Sequence, residues 1–163
     1  MLHSNFNLIN TIKIKIEFLM LPPFFSINTQ YIKDLSFENP NTTKFFFFKN
    51  QYPNISIGVD VKAKEIEINK YEVVLTINGN IIKEKTRLFS IELAYAGIFY
   101  FKYKEIYTQT EIENQLSRFL LINCPEFLFP FSRAIISNIT REAGFPSLII
   151  SPINFEELYE TTK

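Results

Sequence analysis

The stretch YEVVLTI, residues 71–77, places apolar side chains at every second position. A period of two is typical of a β-strand with one buried face. The stretches ISIGVDV, residues 55–61, and FSIEL, residues 89–93, repeat this alternation before and after it. Strands of this kind extend from residue 24 to about residue 103. The sequence therefore predicts an antiparallel sheet with one buried face and one polar face.

Two positions compete for a turn within this region. Asn78-Gly79 is a dipeptide typical of two-residue hairpin turns. Yet Ile77, Gly79 and Ile81 also continue the strand alternation. A later turn at residues 83–85 fits the pattern equally well. The residues alone leave both turns open.

After residue 103 the apolar residues recur at helical spacing. Thr110 and Glu113 have the spacing of a capping box, which predicts a helix over residues 110–122. Pro125 is expected to end this helix or to begin the loop after it. The apolar stripe of the helix consists of Ile112, Leu116, Phe119 and Leu120.

A second helix is predicted after Pro130, and Gly144 suits the left-handed conformation that closes many helices. Asn154 and Glu157 are expected to cap a short terminal helix. Strands followed by helices indicate an α+β fold, with the helices packed on one face of the sheet.

Composition narrows the class of protein. The chain has 163 residues, of which 47% are hydrophobic, and this fits one folded domain. Basic and acidic residues number 17 each, so the chain lacks the basic excess of nucleic-acid binders. Phe is unusually frequent, at 18 residues, in a chain without Trp. These are more rings than a core of this size obviously needs.

The chain has little catalytic equipment. His3 is its single histidine, Cys124 its single cysteine, and its 4 glycines form no phosphate-binding motif. No catalytic residue, metal site or cofactor is therefore predicted. Glu65 and Glu67 lie on an alternating strand, where a solvated edge explains them better than acid–base chemistry. One unpaired thiol fits a reducing, cytoplasmic location.

Residues 1–22 precede the predicted domain, which occupies residues 23–163. Lys13 and Lys15 interrupt the apolar residues of this stretch, so it predicts neither a signal peptide nor a membrane span. We expect residues 1–22 to be an N-terminal extension that is either disordered or the result of a mis-assigned start, in which case residues 1–19 precede a true start at Met20.

Residues 39–54 form a long connection without strand alternation. Four consecutive Phe residues occupy positions 45–48, and they cannot all lie on the same side of the chain. Long connections inside compact domains usually carry function.

Five motifs follow one another along the chain. They are YIKDLSFENPN (31–41), YEVVL (71–75), AGIF (96–99), CPEFLFPFSR (124–133) and FPSLIISPINFEELY (145–159). In this order they give the chain a resemblance to the SecB family, bacterial chaperones of protein export in the cytosol, which runs from about residue 24 to residue 159. Each motif is weak alone, but five in order are specific.

The resemblance implies a homotetramer built as a dimer of dimers. Each subunit would hold a four-stranded antiparallel sheet with helices on one face. The first strand would leave the sheet through a crossover at residues 39–54, and the turn would lie at residues 83–85. The helix over residues 110–122 would form the interface between dimers, through Ile112, Leu116, Phe119 and Leu120.

The resemblance also implies a chaperone that works without ATP. Such proteins bind unfolded precursors of exported proteins and deliver them to the SecA motor. Aromatic rings suit a client groove because they bury much area and have few rotatable bonds. The expected groove residues are Phe45, Phe46, Phe47, Phe48, Tyr52, Phe127, Phe129 and Phe131. For the last three residues, a place in the core is an equally good interpretation.

An acidic surface on the sheet receives SecA in this family. The matching positions here are Asp34, Glu38, Ser90 and Glu92. Spacing alone would favour ordinary solvated carboxylates at these positions, and the resemblance reverses that preference. The zero net charge predicts a weaker long-range attraction of SecA.

Two other functions stay open. A general chaperone, or one associated with a toxin–antitoxin pair, would share the fold. A small-molecule-binding protein with an aromatic pocket would explain the Phe content, but the lack of catalytic groups counts against an enzyme.

Overall fold

The computed structural model describes residues 24–45, 53–102 and 108–161. Predictions that concern the N-terminal extension, Phe46, Phe47, Phe48 or Tyr52 lie outside these residues. The elements are β1 (Phe24–Glu38), α1 (Thr42–Phe45), β2 (Asn54–Glu67), β3 (Lys70–Lys83), β4 (Thr86–Lys102), α2 (Gln109–Arg118), α3 (Cys124–Glu142) and α4 (Phe155–Thr161); a π-helical segment, Phe119–Asn123, joins α2 to α3.

The four strands form one antiparallel sheet in the order β1-β4-β3-β2. Strands β2, β3 and β4 follow one another as a meander, because short turns join them. Strand β1 lies beside β4, so the connection from β1 to β2 crosses from one edge of the sheet to the other. The predicted sheet and its crossover are both confirmed.

The later of the two turns joins β3 to β4. Lys83 pairs with Thr86, and Glu84 and Lys85 between them have positive φ angles of 47° and 65°. Two central residues with positive φ are typical of a hairpin turn whose twist matches that of the strands. Gly79 lies inside β3 instead, because the strand alternation continues past it to buried side chains.

The core lies between the sheet and α3. The inward-facing residues of β3 and β4 alternate with exposed or half-buried ones, as predicted from the period of two. The fully buried side chains of this core include Val73, Leu75, Ile77, Leu93, Phe99, Leu128, Ile136 and Phe155. Helices therefore cover one face of the sheet, and no helix among the described residues covers the other, which we call the open face.

The cap of α2 lies two residues before its predicted position. The Thr108 hydroxyl accepts a hydrogen bond from the Glu111 amide, and the Glu111 carboxylate accepts one from the Thr108 amide at 2.9 Å. The prediction of a box at Thr110 and Glu113 is wrong. The same spacing occurs twice in succession, and only the first copy lies at the end of the helix.

The helix continues through both prolines, so the predicted break at Pro125 and the helix start after Pro130 are wrong. The amide of Cys124 donates to the carbonyl of Phe119, five residues earlier, which is the bond of a π-helix. Pro125 follows this wider turn directly, as the second residue of α3, and such a turn interrupts the regular α-helical hydrogen bonding. Pro130 is accommodated inside α3.

The helical run Gln109–Glu142 is long and apolar enough to cross a membrane by length and composition. However, 44% of its most apolar window is buried inside the protein. A core helix passes the same test, and α3 contacts both β3 and β4.

The end of the chain follows the predicted caps. Gly144 has a φ of 85° just after α3, and the Glu157 amide donates to the Asn154 side chain at 3.2 Å. Arg118 at the end of α2 then holds α4, because its guanidinium pairs with Glu156 at 2.5 Å and Glu160 at 3.2 Å.

Candidate functional site

One group of aromatic rings lies where β1 begins beside the helices. The ring of Phe119 lies 4.9 Å from that of Phe25 and 4.5 Å from that of Phe101. Phe127 joins the group through Phe25, at 5.4 Å. These contacts tie the two strands to the π-helical segment and α3.

A second group of rings connects the crossover to the sheet. Phe37 contacts Phe89 at 5.4 Å, Phe89 contacts Phe145 at 4.6 Å, and Phe45 contacts Phe145 at 5.0 Å between ring centroids. Phe45 was predicted to line the client groove, and the structure places it half-buried on Phe145. Part of the Phe surplus thus holds the crossover against the body of the protein.

The inner face of β1 is incompletely covered, because α3 packs mainly over β3 and β4. Ile32 and Leu35 point to this face but are 47% and 38% exposed. Phe127 and Phe131 on α3 are 41% and 51% exposed. We call these four residues the apolar strip.

Ring stacking connects the two sides of the apolar strip. Phe131 stacks on Tyr95 at 6.2 Å, and Tyr95 is the partner of Ile32 in the pairing of β1 with β4. Phe127 and Phe131 are one helical turn apart and therefore share a face of α3. Phe129 points the other way, into the core, where it contacts Phe155.

The sequence prediction found half of this strip and missed the rest. The sequence predicts a break between Pro125 and Pro130, so it does not separate the directions of Phe127, Phe129 and Phe131. As parts of a continuous helix, only the first and the third share a face. Ile32 and Leu35 were not predicted, although the alternation of β1 places them on the inner face once its irregularities are known.

The predicted acidic positions lie together on the open face of the sheet. Glu38 pairs with Ser90, and Asp34 pairs with Ala94, four positions further along β4. Glu92 lies between these pairs, opposite Ser36. The prediction that Asp34 and Glu38 share a face is confirmed. One of the carboxylates, that of Glu38, also pairs with Arg87 at 3.4 Å.

A polar network crosses the same face from β1 to β3. The Tyr31 hydroxyl donates to one oxygen of Glu72, and the Lys33 ammonium donates to the other at 2.6 Å. The bonds cross β4, where Tyr31 lies opposite Ala96 and Glu72 lies opposite Ile98. The hydrogen bond from Lys33 and then that from Tyr31 hold the pKa of Glu72 below its ordinary value. The bond to Glu72 in turn raises the pKa of Tyr31.

The residues predicted for the interface between dimers divide into two kinds. Ile112, Leu116 and Phe119 are half-buried, so part of each side chain is open to a partner. Leu120 is only 7% exposed and belongs to the core of its own chain.

Cys124 is buried at the start of α3, where burial raises the pKa of its thiol. It is therefore a small core residue, as expected for a lone cysteine. Among the residues that the structure describes, no three His, Cys, Asp or Glu side chains come together to hold a metal ion.

The family match and two similar relatives of this chain point to the same family. The chain matches the family described as SecB, preprotein translocase subunit SecB, over residues 21–163. It is 42% identical over 142 residues to the protein-export protein SecB of Afipia carboxidovorans, covering 85% of this chain and 81% of that protein. It is also 42% identical over 139 residues to that of Rickettsia akari, covering 84% and 86%.

A solved structure shares the fold. The SecB-like chaperone of Mycobacterium tuberculosis, in complex with a ChAD peptide from an antitoxin, superimposes with a TM-score of 0.61. The superposition covers 79% of this chain and 90% of that chain, at 11% sequence identity.

Proposed function

This chain belongs to the SecB family of protein-export chaperones, and we propose that it captures unfolded precursor proteins without ATP and delivers them to the SecA motor. The observation that carries the first part is the apolar strip. A stable sheet and helix framework leaves large apolar side chains open along β1 and α3. Surfaces of this kind usually mark interaction sites.

The strip suits an unfolded client for physical reasons. Burial of one Phe side chain stabilises a complex by about 1.5–3 kcal/mol, so several weak contacts along an extended chain add up. Rings on a helix are already ordered, and little entropy is lost when a client covers them. Binding to unfolded chains opposes their folding and aggregation by mass action.

The proposed assembly is a dimer of dimers in the cytoplasm. The half-buried stripe Ile112, Leu116 and Phe119 supports it, because a second copy would complete the burial that the chain begins. SecA is proposed to dock on the open face of the sheet, at Asp34, Glu38, Ser90 and Glu92. Their common face and close register support one continuous surface.

A chaperone associated with a toxin–antitoxin pair is the second candidate function, because it would share this fold. Sequence favours the export branch, because the identity is 42% to export proteins and 11% to the mycobacterial chaperone.

The test has two parts. Light scattering should give the mass of four chains, and the protein should delay aggregation of a chemically unfolded client in the absence of ATP. A monomer that leaves the aggregation rate unchanged would refute the proposal.

A further inference from the structure

The open face of the sheet carries many of its charges in two adjoining zones. The pairs near one end bring together Asp34, Glu38, Asp60 and Glu92, which we call the acidic zone. Arg87 is the basic residue at its border, paired with Glu38.

The next rows of paired residues along the same face carry lysines. Lys62 lies opposite Val74, Lys64 lies opposite Glu72, and Lys33 reaches Glu72 from β1. We call Lys33, Lys62 and Lys64 the basic zone. Lys62 is 80% exposed and meets Asp60 at 3.5 Å, where the zones adjoin.

The two zones adjoin at Asp60 and Lys62, but their far ends are well separated. Glu92 lies six positions before Ile98 in β4, and Ile98 is the partner of Glu72, which lies opposite Lys64. At about 3.4 Å per residue these two ends are roughly 20 Å apart. The screening length is about 8 Å at physiological salt, so a charge on a partner at either far end senses mainly the zone at that end.

A shallow hollow marks the boundary between the zones. Its charged walls come from both zones, and small side chains leave its centre open. The lining residues are Lys33, Asp34, Lys62, Ala63, Lys64, Glu72, Val74 and Ala94. A protruding side chain or loop of a partner would fit between the two charged regions.

We propose that this face recognises a protein segment of two signs, in which a basic stretch meets the acidic zone and an acidic stretch meets the basic zone. The inference rests on the proposed docking of SecA and adds a second contact, in which an acidic stretch of the partner meets the basic zone. A uniformly anionic partner, such as a lipid surface or a nucleic acid, would be attracted by one zone and repelled by the other. Opposite contacts at the two ends fix one orientation, because the reversed orientation places like charges together.

The decisive variant is Lys62→Glu with Lys64→Glu, which turns the basic zone acidic. A partner of two signs should bind this variant at least about fivefold more weakly at low salt, since like charges then oppose its acidic stretch. A purely basic partner should bind it more tightly. The matched control, Lys85→Glu with Arg141→Glu, changes net charge equally at exposed positions on the hairpin turn and α3. It should bind within about twofold of the wild type.

The experiment is a titration of purified SecA against the intact assembly, alongside Asp34→Lys with Glu92→Lys. Weakening by both pairs of variants supports the inference. Weakening by Asp34→Lys with Glu92→Lys alone, or tighter binding after Lys62→Glu with Lys64→Glu, overturns it and leaves the proposed docking intact. If neither pair has an effect, the docking proposal fails as well. Sedimentation with phosphatidylglycerol vesicles that depends on Lys62 and Lys64 would assign the basic zone to lipid and also overturn the inference.

Discussion

A Cβ atom placed on Gly97 would lie 2.9 Å from Cδ2 of Leu128, closer than such atoms approach in proteins. Gly97 occupies the inner face of β4, and Leu128 is fully buried on α3. The missing side chain is therefore what allows α3 to lie directly on β4. The position of α3 in turn decides that Phe127 and Phe131 stay open beside β1.

Gly97→Ala should destabilise the protein by about 1–3 kcal/mol, because the added methyl group overpacks this contact and that with Phe99. Urea unfolding gives the measurement. Gly58→Ala is the matched control on the open face of the sheet, where a Cβ would meet only Asn78 at 4.0 Å. Equal losses in the two variants would contradict the role assigned to Gly97.

Phe131→Ser should weaken client capture with little loss of stability, since the ring is 51% exposed. Phe129→Ser is the contrast, because its ring is 7% exposed and its loss should cost about 3–5 kcal/mol of unfolding free energy. Aggregation assays and thermal melts separate the two effects. Normal capture by Phe131→Ser would remove the apolar strip from the client site.

Phe46→Ser with Phe48→Ser, outside the described residues, should also weaken client capture and preserve the oligomer.

Asp34→Lys with Glu92→Lys should weaken SecA binding about tenfold at low salt, and the difference should shrink at high salt as the charges are screened. Client capture should be unchanged, because these side chains lie on the face opposite the apolar strip. Surface plasmon resonance at two salt concentrations measures the first effect. If Phe131→Ser reduced SecA binding as strongly, the separation of the two surfaces would be wrong.

Glu72→Gln should cost about 1 kcal/mol at pH 7, where the carboxylate pairs with Lys33 and accepts from Tyr31. The pKa of Glu72 is lowered in the folded state, so its stabilisation is present above the unfolded pKa and is lost as pH falls through the folded one. The difference between wild type and variant should therefore vanish in acid. Glu67→Gln, which removes an exposed pair with Lys70, should change the stability little at pH 7.

Thr108→Ala should destabilise the protein by about 1 kcal/mol through loss of the helix cap, whereas Thr110→Ala should have almost no effect. Chemical denaturation of both variants makes the comparison. Equal effects would show that the cap is shared between the two threonines.

The period of two was sufficient to predict the sheet, because every second residue of β3 and β4 is buried. It could not choose between the turns, since Asn78-Gly79 satisfies both a hairpin and a strand. The residues of β3 beyond Gly79 decide the matter: Ile81 is buried only if the strand continues.

The helices show where local rules fail. Prolines at 125 and 130 usually mark breaks, but the first directly follows a π-helical turn and the second lies inside α3 without ending it. The directions of Phe127, Phe129 and Phe131 follow from the continuous helix, so they could not be predicted as long as a break was expected there. The acidic positions were predicted by resemblance, whereas the lysines beside them emerge only when the strand register is known.

The crossover between β1 and β2 also sets an order of events during synthesis. β1 is made first, yet its partners lie on β4, the last strand, with Phe25 beside Phe101 and Glu38 beside Ser90. Synthesis must therefore reach the end of β4 before β1 can pair with it. Until then the protein exposes an unpaired, Phe-bearing segment of the same kind as the nascent chains that it is proposed to protect.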